Sequence, residues 1–482
     1  MVICVSLAAK EKISVRETIV IGANPLHCLG GLPARDHGDS ATASVSGRTG
    51  WHERHLSINR FDWDRYRMPK SPRGKWLLLT LLCFAGAMVY TFPFLRYSYY
   101  DTMKEALGVT HTQMGLMQAV NGVAATFGYI PGGWLADRYS PRKLLATSLI
   151  VTGLSGLYFS TFPSYVGGLF LYGFWGVSTL IIFWAPFIKA TRNLGPDAEQ
   201  GRLFGFLEGG RGVFGFLIGM FTLFVFKEMG EGPTGLMWVI NISAVVTIAA
   251  GLTVWLIFED PPQGMASESL FQNFGGALKT PQVWVIGLII FCGYGLFASQ
   301  SYITPYMTGV MGAVVTYGVL MGILRTYGIQ AIGAPVSGIV ADKIGGPSIV
   351  IGFAFAIAAL CMSILLMVPP ELKNLAIVSN VMIVLALCVF ALRGNFYATF
   401  AESKIPMHTM GTAVGVACFV GYLPEGFTYP MIGYWLDSYP GLPGYQITFA
   451  YMLGLSLVGI LATLFLRRIN RQNESEERSR VG

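Results

Sequence analysis

The chain has 482 residues and a net charge of +7, with 53% apolar residues before glycine is counted and 12% charged, against roughly 25% charged in a soluble globular chain. With its 59 glycines the apolar-plus-glycine share reaches about 65%, above the roughly 45–50% of globular proteins, which excludes an ordinary soluble enzyme. Lys and Arg collect at segment ends and form no continuous basic face, so no nucleic-acid partner is expected either.

In chain order, residues 1–72 come first and read as a disordered tail, scattering Gly, Ser, Arg and Asp and holding four of the six histidines. The apolar start Met1–Ala9 is too short for a signal peptide and lacks a basic leader. His52-Glu-Arg-His55 offers two histidines without further ligands, so the reading is a solvated tail and no metal. Met68 opens Met-Pro-Lys-Ser-Pro-Arg-Gly-Lys just before the first apolar run, and is a candidate for the biological start.

About twelve apolar segments of twenty or more residues follow. In the first half they lie near 76–100, 112–136, 143–162, 165–190, 202–226 and 235–258. The second half gives 281–307, 313–341, 346–368, 374–401, 410–436 and 445–466. Each is long enough to cross about 30 Å of hydrocarbon as a helix, and no alternating pattern suggests a barrel. The expected fold class is all-α integral membrane, with twelve transmembrane helices as two six-helix pseudo-repeats. An N-terminal bundle (75–258) and a C-terminal bundle (281–466) are joined by a cytoplasmic linker (259–280), and 467–482 form a charged cytoplasmic tail. Neither tail looks folded. Of seven cysteines, Cys83, Cys292, Cys361, Cys388 and Cys418 fall inside apolar runs and show no metal spacing.

Counting Lys and Arg near alternate segment ends gives about 18 on one side and about 3 on the other, namely Lys104, Lys227 and Lys373. Both termini are therefore expected in the cytoplasm, with the bundle in a plasma membrane, or the inner membrane if the source is bacterial.

The second and third segments are joined by Gly133-Trp-Leu-Ala-Asp137-Arg138-Tyr-Ser-Pro-Arg142-Lys143, the eighth and ninth by Gly338-Ile-Val-Ala-Asp342-Lys343-Ile-Gly345. Both read G-x-x-A-D-[RK] at a constant offset of 205 residues, so the chain is two copies of one unit. Glycine there lets two helices approach at the cytoplasmic rim, while Asp can bond a neighbouring helix end and Arg can bridge the halves, locking one state of a rocking pair.

These motifs, the duplication and the segment count resemble the major facilitator superfamily over about residues 75–467. Within it, Asp137-Arg138-Tyr-Ser-Pro-Arg142 is similar to the organophosphate and organic-anion antiporter branch, and Arg96, after Tyr90 and Phe94, looks like that branch's substrate arginine. The region Phe297-Ala-Ser-Gln-Ser301 lacks the branch's partner arginine on helix seven, which weighs against phosphate exchange by an arginine pair. The resemblance implies a central cavity, alternating access, a monomer and no cofactor.

An ionised side chain at mid-membrane is costly unless it faces protein or water. The interior charges are Arg96, Glu208, Arg211, Arg325, Arg393 and Glu425. None falls in segments three, six, nine or twelve, which the resemblance puts at the periphery, so they are expected to line a central path. Glu208 and Arg211, three apart on a helix, are expected to pair, and Glu425 can reach Arg393. That leaves Arg96 and Arg325 for an anionic group, whose oxygens match the guanidinium fork. Snorkelling of Arg96 to the outer interface is the competing reading. Arg393, Glu425 and the Glu208–Arg211 pair read as gating or coupling residues, and Tyr90, Tyr302 and Tyr327 as candidates for ligand stacking. Gly210-Arg-Gly212-Val-Phe-Gly215 matches a dinucleotide fingerprint, but it sits in an apolar helix with no strand before it.

The expected function is a secondary transporter of a small organic anion of sugar phosphate, sulfonate or carboxylate type. A proton or a counter-substrate drives it, since no ATP-binding loop is present. The alternatives are a neutral sugar or polyol symporter of the same fold and a transporter-like sensor. No nucleophile, histidine cluster or carboxylate pair suggests an enzyme.

Overall fold

The computed structural model describes residues 72–196, 199–258, 278–405 and 407–481. The expected N-terminal tail, with Met68 and the His52–His55 pair, and residues 259–277 of the expected linker lie outside the described residues. Among the described residues the chain is helical and forms no strand.

The first half contains α1 (Pro72–Met88), α2 (His111–Arg138), α3 (Pro141–Phe159), α4 (Tyr165–Arg192), α5 (Gln200–Glu228) and α6 (Pro233–Ile257). The second contains α7 (Pro281–Gly309), α8 (residues 315–344), α9 (Pro347–Met367), α10 (Leu375–Asn395), α11 (Met407–Ser438) and α12 (Leu442–Val481). Seven of these are individually long and apolar enough to cross a membrane, and α8 makes an eighth if its arms, bent by 45°, form one span. Sequence sets the helix ends. Thr110 and Gln113 form a capping box on α2, Ser140 and Ser164 cap α3 and α4, and prolines at the first turn open α6, α7 and α9. The C-terminal tail differs from the expectation: α12 runs on to Val481, in keeping with a segment rich in Glu, Arg and Gln and free of Gly and Pro.

Three helices lose regularity where the site is built. After Met88 the chain unwinds, because Pro93 cannot donate to the carbonyl of Val89, and it resumes as a short turn (Leu95–Tyr97) and a connecting helix (Tyr100–Leu107). A wide π turn occupies Val177–Trp184 of α4, just before Pro186, and another occupies Leu324–Gly328 of α8.

The two halves meet at one end and part at the other. At the end away from the basic loops, here the neutral end, α2 and α11 touch backbone to backbone. A Cβ on Gly115 would lie 2.4 Å from the Tyr429 carbonyl oxygen, and one on Gly433 would lie 2.3 Å from that of His111. Likewise a Cβ on Gly215 of α5 would lie 2.4 Å from the Tyr327 ring of α8. Toward the end carrying Arg138, Lys143 and Lys343, the basic end, a Cβ on Gly133, Gly205, Gly338, Gly411 or Gly415 would meet nothing within 4 Å. The close approach expected at Gly133 and Gly338 is therefore not made in this conformation, because the halves are splayed there.

Candidate functional site

Arg96 lies in the turn Leu95–Tyr97 and is fully buried. Its guanidinium carbon sits 5.3 Å from the ring centre of Tyr100, 5.2 Å from that of Tyr302 and 4.8 Å from that of Tyr429. Each cage hydroxyl has another partner, although that of Tyr302 also lies within reach of Arg96. Tyr100 bonds His111 Nδ1 at 2.8 Å, Tyr302 donates to the Tyr429 carbonyl at 2.8 Å, and Tyr429 shares a 2.5 Å bond with the Tyr97 hydroxyl. The rings thus offer Arg96 their π faces, while its Nε, Nη1 and Nη2 make no hydrogen bond of acceptable geometry. The Tyr172 hydroxyl, within electrostatic reach of Arg96, is also buried without a partner. Each of the three desolvated cation–π contacts is worth about 2 kcal/mol, which offsets much of the several kcal/mol that burying an ion costs but supplies no counter-charge. This guanidinium is held but not neutralised, and it does not snorkel.

Arg325 is satisfied differently. The π turn of α8 aims it between the halves, where Nη1 donates to the Gln300 carbonyl at 2.6 Å, and Nη2 donates to the Tyr97 carbonyl at 2.9 Å and the Thr326 hydroxyl at 3.2 Å. In this conformation its donors tie α8 and α7 to the turn after α1. Tyr97, Tyr429 and Arg325 form a layer, with the Arg96 cage on its neutral side and, on its basic side, a vestibule, the gap between the splayed halves.

The vestibule holds the other interior charges. Arg211 donates to Glu208 at 2.7 Å and to the Gly86 carbonyl at 3.2 Å, as the spacing of three predicts for the pair. Its guanidinium stacks over Tyr90, Trp184 and Phe187. Gln330 of α8 reaches Glu208 from the other half at 3.4 Å. Arg393 rests on Phe297, 4.5 Å from the ring centre, and beside Tyr294 and Phe390. The expected contact between Glu425 and Arg393 is corrected: they feel each other's field, but no ion pair forms between them. Glu425 is half-buried, its backbone pressed against Gly122.

Of the remaining sequence candidates, Tyr90 donates to the Thr179 carbonyl and stacks on Phe94. Tyr302 is part of the Arg96 cage. Tyr327 packs against Gly215. At the basic end Asp137 pairs with Lys189 of α4 at 3.5 Å, Arg138 covers Trp134, and Arg142 donates to the Trp255 carbonyl at 2.6 Å. Lys343 and Asp342 end α8, whose turn is closed by Gly345 at φ +96°.

Sequence reasoning missed Tyr100 and Tyr429, which complete the cage. It also missed the closure of the neutral end. Asp437 of α11 accepts bonds from the backbone N–H groups of His111 and Thr112 at 3.0 and 2.8 Å and from the Thr112 hydroxyl at 2.6 Å. Thr308 donates to Asp101 at 2.5 Å. A census restricted to interior charges passes over Asp101 and Asp437, because both lie at segment ends.

The family model described as Major Facilitator Superfamily matches residues 77–428. The Escherichia coli K12 inner membrane protein YihN is 30% identical, over 83% of this chain and 98% of its own length. The glycine betaine/proline/ectoine/pipecolic acid transporter OusA of Dickeya dadantii is 23% identical over 70% of each chain. The D-galactonate transporter of E. coli O6:H1 is 24% identical, over 76% of this chain and 89% of its own. A crystal structure of a bacterial homolog to the human lysosomal transporter Spinster, inward-facing and unoccupied, superposes with a TM-score of 0.65 at 16% identity, covering 83% of this chain and 98% of that one. At that identity the likeness speaks to the fold.

Proposed function

Because the chain belongs to the major facilitator superfamily and is a membrane-spanning transporter of that family, we propose that its cargo is a small organic anion and that Arg96 is the cargo's anchor. The observation that carries this reading is a fully buried guanidinium with unspent donors. Arginine's planar fork matches a carboxylate, sulfonate or phosphate edge-on while its face stays on an aromatic ring. A sugar acid is the first cargo to try, since a relative is named for D-galactonate. A quaternary ammonium cargo, as the name of the betaine relative suggests, fits less well. Aromatic cages do bind such groups, but this cage is filled by the protein's own cation.

The mechanism follows from who supplies the cage. Tyr100 belongs to the first half, and Tyr302 and Tyr429 to the second, so an anion on Arg96 is gripped by both. The positive loops set the basic end in the cytoplasm, and the splayed helices open the vestibule to that side. Opening to the other side requires the Tyr97–Tyr429, Arg325–Tyr97 and Asp437–Thr112 bonds to part while the basic end closes, a rocking of halves around a fixed site. Glu208 is occupied by Arg211, so Glu425 is the carboxylate placed to carry a coupling proton.

The test is uptake into proteoliposomes of labelled D-galactonate, isethionate and glycerol 3-phosphate beside glycine betaine, D-galactose and uridine, with wild type and Arg96→Met. The expected result is uptake of at least one anion, falling more than about thirtyfold in the variant, as when a buried charge partner is removed. Betaine or neutral-sugar uptake indifferent to competing anions would overturn the reading, as would anion binding without flux, the mark of a sensor.

A further inference from the structure

We propose that Arg393 is a second anion station, which receives the cargo's acidic group from the basic-end vestibule before it passes to Arg96; the proposal rests on the organic-anion reading above. It comes from comparing the two halves, whose arginines stand on helices that the repeat does not pair, α5 and α10. Each sets an arginine against a tyrosine of its first helix, Arg211 by Tyr90 of the α1 region at 5.2 Å and Arg393 by Tyr294 of α7 at 5.6 Å. Tyr90 and Tyr294 are one residue from the 205-residue repeat offset. In the first half the edge of the guanidinium is taken by Glu208 at 2.7 Å. In the second half the stacking is present, at 4.5 Å from Phe297, but among the described residues no carboxylate completes it.

Arg393 is half-buried and lies within electrostatic reach of Glu208, which belongs to the other half, as well as of Glu425. A guanidinium stacked on a ring presents its N–H edge for two parallel bonds to an acid. Aromatic contacts link it to the cage: Phe297 meets Tyr97 edge-on at 6.0 Å, Tyr97 stacks on Tyr429 at 6.4 Å, and Tyr429 is a wall of the Arg96 cage. Tyr97 is thus in ring contact both with Phe297, on which Arg393 rests, and with a wall of the Arg96 cage.

The experiment measures zero-trans uptake of D-galactonate, isethionate and glycerol 3-phosphate from each face of proteoliposomes sorted by orientation, with wild type, Arg393→Gln and Arg393→Lys. KM from the basic side should rise about tenfold or more in Arg393→Gln, the cost of a lost charge-assisted pair, and less in Arg393→Lys, which keeps charge without the fork. KM from the neutral side should stay within about twofold. Equal KM changes from both faces, or none, overturn the proposal while leaving the organic-anion reading intact. If Arg393→Gln does not fold, an unchanged basic-side KM in Arg393→Lys overturns it alone. Failure of wild type to move any of the three anions overturns both.

Discussion

Arg96 lies just to the neutral side of the layer that holds Arg325, and the environments of the two predict opposite responses to the same substitution. Arg325→Met would strand the buried carbonyl of Tyr97, which accepts a bond at 2.9 Å, and would remove the 2.6 Å bond to the Gln300 carbonyl, which keeps its bond from the Ile303 N–H. Leaving such an acceptor unpaired costs about 1–3 kcal/mol, so the thermal unfolding temperature in detergent should fall. Arg96→Met strands no acceptor and replaces an unpaired ion with an apolar chain of similar reach, so the unfolding temperature should hold or rise. A large loss of stability in Arg96→Met would mean that the cage, and not a ligand, is what the charge serves. The charge census by itself finds both residues, since an ion inside an apolar segment stands out. It cannot rank them, because the carbonyls that satisfy Arg325 come from turns on two other helices. Nor could it find Tyr100 and Tyr429, since a tyrosine in an apolar helix has no spacing that separates a cage wall from packing.

The elements were legible where local chemistry fixes them and illegible where another element does. Caps such as Thr110 and Ser140 and the break at Pro93 follow from their own few residues. The N-terminus of α2 is different, because its free N–H groups are completed by Asp437, 325 residues away along the chain. A carboxylate on a helix N-terminus gains from both the bonds and the dipole, and here it also ties α2 to α11 across the two halves. Hydrogen bonds to charged groups are worth about 1.5–3 kcal/mol. Asp437→Asn keeps the shape and removes the charge, and should shift the conformational balance about tenfold toward a parted neutral end. Distances between spin labels at Glu105→Cys and Tyr439→Cys, both exposed, in a background without the native cysteines, check this. An unchanged distribution would show that the glycine contacts alone hold that end shut.

At the scale of the molecule, the repeat offset revealed the two halves but not which way they lean, because the glycines that permit one closure are spaced like those that permit the other. Only the surroundings separate them. Gly115 is in use, its place against Tyr429 too tight for a Cβ, whereas Gly338 faces open space. If the transport cycle is a rocking of halves, these two glycines belong to opposite states and should respond with opposite sign. Gly115→Ala forces a methyl to within 2.4 Å of a carbonyl oxygen and must part α2 from α11, disfavouring the present state. Gly338→Leu is accommodated here and obstructs the closure of the basic end, favouring it. Labels at Glu105→Cys and Tyr439→Cys should move apart in Gly115→Ala, while labels at the basic end, Tyr139→Cys and Ile344→Cys, should draw together. Gly338→Leu should suppress the population with a closed basic end that cargo induces in wild type. Both variants should slow transport by at least about tenfold, since a shift of 1.4 kcal/mol in either direction removes most of one state from the cycle. Two variants that move both label pairs in the same direction would contradict a rocking exchange and point to independent gates at the two ends.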